Sequence, residues 1–318
     1  MPGPPGDRTI PPLEELARER VAAVLGARTG VVGVTALSSG GDGAVALVTL
    51  TRPPRRLVLK VAGAHAAPAV DLERTAAASA LARACGAPVA AVLAVGTVPG
   101  ASGWSYLLQE HVEGIDWRRA RPLLDPDQLV AAHRQIATAV LAVQSARFAG
   151  FGELDPGTGP AGHDLGHALR RRAELRIADP CRRAGFCGLL EREADLLAGD
   201  RSAPTLCHDD LHHANVVFRH ERGRWRLAGL LDWDKAWAGP AESDIARMAL
   251  WDDMTGPGFW ETYRAAAPVA DGEPERALVH QLLWCLEYPA DTPRHRADTA
   301  ALCRRLGLRL AGEEGSGV

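Results

Sequence analysis

The sequence predicts an α+β chain of two lobes, a small N-terminal β-rich lobe and a larger, mainly α-helical C-terminal lobe. Three observations carry this reading. With 318 residues, the chain is long enough to bury two cores. Its first third holds short Val- and Leu-rich runs divided by turn signals, and helical spacing takes over from Asp125. Within the helical half, short apolar runs return over Leu206–Gly239, as an insert of strands and loops.

The elements follow in order. Residues 1–12 are rich in Pro and Gly and read as a mobile leader, and Leu13–Leu25 has helical spacing. Val31–Leu37, Ala44–Leu50 and Arg56–Val61 read as an antiparallel meander, turned at Ser38–Gly43 and at Arg52-Pro53-Pro54. An Ala-rich helix over Leu72–Ala84 stops near Gly86 and Pro88. Ala90–Val95 and Ser105–His111 complete a five-strand sheet, and the lobe boundary falls between residues 111 and 112. Asp127–Ala146 reads as a long amphipathic helix, and Phe148–Gly166 as a Gly/Pro-rich loop. Helices follow over His167–Ala178 and Cys187–Ala198, and again, with loops, from Glu242 onward.

Composition narrows the function. Apolar residues make up 47% and charged residues 24%, as in an ordinary globular chain. A net charge of −3 supplies no basic field for nucleic acid or anionic lipid. No apolar run reaches the ~18 residues of a membrane span, and the N-terminus lacks a secretory apolar core. The six cysteines form no C-x-x-C pair and read as thiols of a cytoplasmic protein. Of the 36 basic residues only Lys60 and Lys235 are lysine, and Asn215 is the sole asparagine. Against so strong an arginine bias, a retained Lys60 or Asn215 marks a position that needs that side chain.

The densest chemistry lies in Cys207-His208-Asp209-Asp210-Leu211-His212-His213-Ala214-Asn215 and, beyond it, Leu231-Asp232-Trp233-Asp234. Val216–Phe218 and Leu227–Leu231 can pair as a hairpin, which would bring Asn215 and Asp232 to one end. Their oxygens suit magnesium, which takes few protein ligands and keeps phosphate oxygens as partners. Asp210 is placed to face a hydroxyl. Phosphoryl transfer needs such a base, a metal and a cation on the donor phosphates. Lys60, at a strand end after a glycine-rich turn, is the candidate cation. Glu73, or less readily Asp71, is its candidate partner, and Ser39, Gly40 and Gly41 can cover phosphates with backbone N–H groups. Bland readings compete: Lys60 alone could be a surface lysine, and His208, His212 and His213 could bind zinc. His208 reads better as a residue that bonds the loop's backbone.

HDDLHHAN resembles the H-G-D-x-H-x-x-N catalytic loop of the aminoglycoside phosphotransferase and choline kinase superfamily, and LDWD resembles its metal-binding I-D-W-D/E. With Lys60, the resemblance spans roughly residues 25–290. It implies a protein-kinase-like fold with a nucleotide-binding lobe over residues 1–111 and a catalytic, acceptor-binding lobe over 112–318. It implies Asp210 as catalytic base, Asn215 and Asp232 as magnesium ligands, Lys60 on the phosphates of ATP or GTP, and Gln109–Val112, with Gln109 and His111, as the purine-reading hinge. Asp209 replaces the usual Gly, and His213-Ala214 the usual Pro-Gly; Asp tolerates left-handed backbone better than most residues.

The expected reaction is magnesium-dependent phosphorylation of a small-molecule hydroxyl, with an aminoglycoside- or nucleoside-type antibiotic as the leading acceptor. A metabolic sugar, nucleoside or amino-alcohol kinase is the alternative, and an inactive kinase-like binding protein the reading from another class. For the acceptor site the sequence offers Asp234, Trp237, Trp251, Asp252 and Glu287. Glu242, Asp253 and Glu261 are further acids able to hold a cationic acceptor, or to form a solvated face. Asp244 is expected to cap or anchor the next helix, and 167–178 to present a solvated, arginine-rich face.

Overall fold

The computed structural model describes residues 10–40, 42–51, 54–64, 66, 70–155, 162–199, 202–288 and 292–309. Most of the 1–12 leader, the tip residue Gly41 and part of the Arg52–Pro54 turn lie outside them.

Helix α1 (Leu13–Leu25) precedes a five-stranded sheet of β1 (Val31–Gly40), β2 (Gly43–Thr51), β3 (Pro54–Gly63), β4 (Val92–Thr97) and β5 (Trp104–Glu110). Its order is β1-β2-β3-β5-β4, and every pairing is antiparallel. Burial alternates strictly along β2, as a sheet with one covered face requires. The covered side is a core of Val48, Leu50, Leu57, Leu59 and Leu108 closed by Leu16 and Val21 of α1. Helix α2 (Leu72–Ala84) sits between β3 and β4 in sequence, and Asp71 caps it by accepting from the Glu73 and Arg74 amides.

The chain leaves β5 through residues 111–114. Gly114 has φ 149°, and a Cβ there would lie 2.4 Å from the Phe218 carbonyl, so this crossing admits glycine alone without strain. Beyond it come β6 (Ile115–Asp116), α3 (Trp117–Ala120) and α4 (Pro126–Val143), the last held by an Asp125/Gln128 capping box. Within the expected loop lies β7 (Gly152–Glu153), followed by α5 (Leu165–Arg176). The helix expected at 187–198 begins earlier, as α6 (Pro180–Arg192), and is interrupted at Glu193 before α7 (Ala194–Ala198). Strands β8 (Thr205–Cys207), β9 (Val216–Glu221), β10 (Arg224–Leu230) and β11 (Trp237–Gly239) form the insert. Helices α8 (Ala241–Met248), α9 (Pro257–Ala266), α10 (Glu273–Glu287) and α11 (Pro293–Arg305) complete the fold.

The hairpin β9–β10 forms with Val216 opposite Leu230, and β6 joins its outer edge. Beneath it Ile136, Val140, Phe218, Trp233 and Phe259 form one core, while Leu169, Phe186, Trp237, Leu282 and Leu286 form another under α5, α6 and α10. Among the described residues no helix is long and apolar enough to cross a membrane.

Candidate active site

The loop between β8 and β9 is fastened from three sides. Asp244, fully buried on α8, accepts from the His208 amide at 3.2 Å and the Asp209 amide at 2.6 Å. It anchors this loop, where a helix cap was expected, because its position one turn into α8 faces inward. Burial raises its pKa to about 7 against those two amide bonds. His208 accepts from the Asp210 amide through Nδ1 (3.2 Å) and lies 2.8 Å from the Leu231 carbonyl through Nε2. An amide on one nitrogen and a carbonyl on the other fix the neutral tautomer with its proton on Nε2. Burial lowers the pKa of His208 in the same sense.

Asp209 adopts φ 58°, the left-handed conformation for which the usual glycine is suited. Its buried carboxylate meets Arg172 at 2.5 Å and Arg247 at 3.5 Å. Arg172 is 1% exposed; it also pairs with Glu153, donates to the Lys235 carbonyl at 2.6 Å and lies 4.6 Å from the Trp237 ring centroid. The expectation of a solvated face on 167–178 is therefore corrected for Arg172 and Arg176. Both are buried: Arg172 meets Glu153 and Asp209, 19 and 37 residues away, and Arg176 lies 3.9 Å from the same Glu153.

Asp210 accepts from Arg247 at 3.0 Å and lies 3.7 Å from the Lys235 ammonium. Burial would raise its pKa, but Lys235 and Arg247 outweigh burial and hold it below the ordinary value, so it is a carboxylate at neutral pH. Lys235 is itself held by Glu287 (2.9 Å) and by the Tyr288 hydroxyl. Glu287 is driven down to about 2 against its burial by Lys235 and Arg247. Sequence reasoning noted Lys235 as one of two lysines and assigned it nothing; the rarity that singled out Lys60 was the signal for it as well.

Asn215 and Asp232 meet at the open end of the hairpin, where the Leu231 amide donates to the Asn215 carbonyl at 2.8 Å. The Asn215 NH₂ donates to the Asp210 carbonyl at 2.9 Å, so its side-chain oxygen is the end available to a cation. Asp232 has φ 64°. These hard oxygen donors, few in number and beside the cleft, fit magnesium.

Lys60, half-buried in β3, binds Asp232 at 3.0 Å and Asp234 more closely still. Burial opposes its charge, but Asp234 and Asp232 raise its pKa well above the ordinary value. The expected Lys60–Glu73 pair is not formed. Glu73 is exposed in the first turn of α2, and Asp71 is spent on the cap; the face of α2 toward the cleft carries Thr75 and Ser79. Thr75 donates to Asp234 at 3.0 Å.

Two cavities flank this loop. One, about 290 Å³, lies between Val45, Val58 and Leu107 on one side and Leu230, Leu231 and Asp232 on the other. Lys60, Gln109, His111 and Asn215 also line it. Leu37 reaches it from the first hairpin, whereas Ser39 is not among its described lining residues; β1 runs on to Gly40, which pairs with Gly43. The second cavity, about 430 Å³, is lined by Asp210, His212, Trp251, Trp284, Tyr288 and Arg294 among others.

Of the acceptor-site residues expected from sequence, Trp251 alone lines this second cavity. Asp234 lies in the first cavity on Lys60. Trp237 is 1% exposed, packed in the α5–α10 core under Arg172. Glu287 is buried behind Tyr288 on Lys235, and Asp252 points into solvent on Arg294. Trp284, Tyr288, Arg294 and His295 come from α10, its end and α11, a region without local motif.

The profile of the phosphotransferase enzyme family matches residues 33–279. A search among curated proteins found no match. Among solved structures the chain is similar to Plasmodium vivax ethanolamine kinase, at 13% identity, a TM-score of 0.58, and coverage of 92% of this chain and 88% of that one. It is similar to the aminoglycoside phosphotransferase APH(2″)-IIIa in complex with GDP and kanamycin, at 13% identity and a TM-score of 0.58, covering 92% and 97%. It is also similar to a streptomycin–ATP ternary complex of APH(2″)-IIa, at 16% identity and a TM-score of 0.54, covering 91% and 95%. The expected kinase-like architecture is thereby met, and the chain belongs to the phosphotransferase enzyme family, as a phosphotransferase with a hydroxyl acceptor.

Proposed function

We propose that this chain transfers the γ-phosphoryl group of ATP or GTP to a hydroxyl of a small molecule held in the second cavity. The observation that carries this reading is the position of the 208–215 loop. Asp210 faces one cavity, Asn215 faces the other, and the two are joined by the 2.9 Å bond from the Asn215 amide.

The acceptor hydroxyl donates to the Asp210 carboxylate. As its oxygen bonds to the γ-phosphorus, the bond from that phosphorus to the β-phosphate oxygen breaks and the proton passes to Asp210. A carboxylate held ionised by Arg247 and Lys235 is a weak base, so its main work is to orient the hydroxyl; a loose phosphoryl-transfer transition state asks for little more. Lys60 stays cationic and is placed to exchange its Asp232 contact for donor phosphate oxygens. Asn215 and Asp232 would hold magnesium, which when bound neutralises phosphate charge. Val58, Leu107 and Leu230 supply apolar walls for the purine beside Gln109 and His111.

The test is ADP or GDP release with magnesium across hydroxylated compounds. Antibiotics head the panel because kanamycin and streptomycin are bound in two of the similar structures; amino-alcohols follow because a third is an ethanolamine kinase. Acceptor-dependent release is expected, falling by roughly 10²–10⁴-fold in Asp210→Asn while nucleotide affinity is kept. Nucleotide binding with identical release in Asp210→Asn would remove Asp210 from its role, and no nucleotide binding would overturn the reading.

A further inference from the structure

The second cavity also says which kind of acceptor it suits, given the phosphotransfer reading on which this inference rests. A polycationic acceptor needs carboxylates facing the cavity with charge to spare, and the six acids offered from sequence lie outside its lining, each against a cation of the chain. Asp234 pairs with Lys60, Glu242 with Arg276 through both oxygens (2.6 and 2.9 Å), Asp253 with Arg121 (2.8 Å) and Glu261 with Arg134 (2.8 Å). Glu287 pairs with Lys235, and Asp252 receives both Arg294 terminal nitrogens, at 2.7 and 3.2 Å. Asp298, on the cavity wall, lies 3.6 Å from the same Arg294, and Asp210 is bound to Arg247.

The aromatic wall points the same way. An exposed ring face attracts a ligand ammonium through its quadrupole. Here Tyr288 already carries the Lys235 ammonium at 4.1 Å from its centroid, and Trp284 carries the Arg247 guanidinium at 5.3 Å. A second cation brought to either ring would meet a charge of its own sign across it. What these rings keep is flat apolar surface. Trp251 meets Trp284 edge to face, at 5.3 Å and 79°, and His212 is tilted against Trp251 at 5.4 Å, making an aromatic corner beside Asp210.

We propose that the acceptor is an uncharged alcohol bearing a flat ring, stacked in the Trp251–Trp284 corner with its hydroxyl on Asp210, and that polycationic aminosugars are poor occupants. The arrangement selects by stacking and by desolvation, and a cationic ligand gains only Asp298, a carboxylate already shared with Arg294, in return for lost hydration.

Binding of para-nitrophenyl β-glucoside and of kanamycin, each titrated calorimetrically into the full chain with Mg-ADP present, tests this. The glucoside is expected to bind at least about tenfold tighter than kanamycin, with little change from low to high salt, since no ion pair forms. Trp284→Ala should weaken the glucoside about tenfold. Trp251→Phe, a milder change, should weaken it less, and it keeps the test open if the first variant fails to fold. Kanamycin binding as tight or tighter with a steep salt dependence, no glucoside binding, or glucoside binding indifferent to both variants would each overturn the proposal. Failure of Mg-ADP to bind would instead strike the phosphotransfer reading, and the two titrations report on the cavity in either case.

Discussion

Lys60 sits between Asp232 and Asp234, and Arg172 sits between Glu153 and Asp209. Both are cations bridging two carboxylates, but their surroundings differ. Lys60 is a flexible ammonium at the edge of an open cleft, and its partner Asp232 is about half exposed. Arg172 is sealed, with a carbonyl and an indole face as further neighbours. A compact charge on a mobile stem in partial contact with water can trade one oxygen for another at small cost. A buried guanidinium with every neighbour fixed cannot, and it serves to hold the 208–215 loop still. One molecule thus uses the same charge pattern once as an exchangeable contact and once as a clamp.

The sharpest way to break this contrast is to remove the clamp. Arg172→Met leaves Asp209 and Glu153 buried with too little positive charge, and should cost about 3–5 kcal/mol in urea unfolding. Adding Asp209→Gly should recover a large part of that loss, since the left-handed position suits glycine and the stranded charge is gone. Additive losses would show the two residues to be uncoupled. Lys60→Ala should cost clearly less stability than Arg172→Met and lower kcat/KM for nucleotide about 10²-fold. An equal loss of stability would make Lys60 a clamp as well.

A smaller effect is expected from pH. Glu287 titrates near 2 in the folded chain against an ordinary value of 4.5. A lowered carboxylate gives stability that is complete above about 4.5 and is lost as pH falls toward 2, on the order of 3 kcal/mol for this group. Urea midpoints measured down through that window should therefore fall more steeply in the parent chain than in Glu287→Gln. Smallest of all, Glu261→Gln breaks an exposed pair with Arg134 and should change stability by less than about 0.5 kcal/mol.

The same contrast separates what the sequence disclosed from what it withheld. The nucleotide side is written in short stretches: strand, turn and Lys60, then His208 through Asn215, then Asp232. Each is marked by residue types a few positions apart, although the contacts that hold it come from farther along the chain, and the five-strand sheet and the β9–β10 hairpin were legible for the same reason. The second cavity, proposed for the acceptor, is assembled from the end of α8, the end of α10 and the start of α11, with no spacing rule to join Trp251 to Tyr288 or Arg294. Charges were hardest to read. An arginine on a helix looks solvated until its carboxylates are known, and those of Arg172 lie in β7 and in the β8–β9 loop. Glu73 failed as the partner of Lys60 for a similar reason: the distance from β3 was right, but the first turn of α2 points it outward.

The left-handed Asp209 has a consequence for how such a loop can change over generations. Replacement by glycine alone leaves the buried Arg172 guanidinium with Glu153 but without its second carboxylate, and loss of Arg172 alone leaves the buried Asp209 carboxylate with only the more distant Arg247, beside Asp210. Either single step passes through a weakened chain, so the two positions form an epistatic lock. A single change on the Trp251 wall of the second cavity meets no such pair, and should alter the shape of that cavity without loosening the loop that holds Asp210.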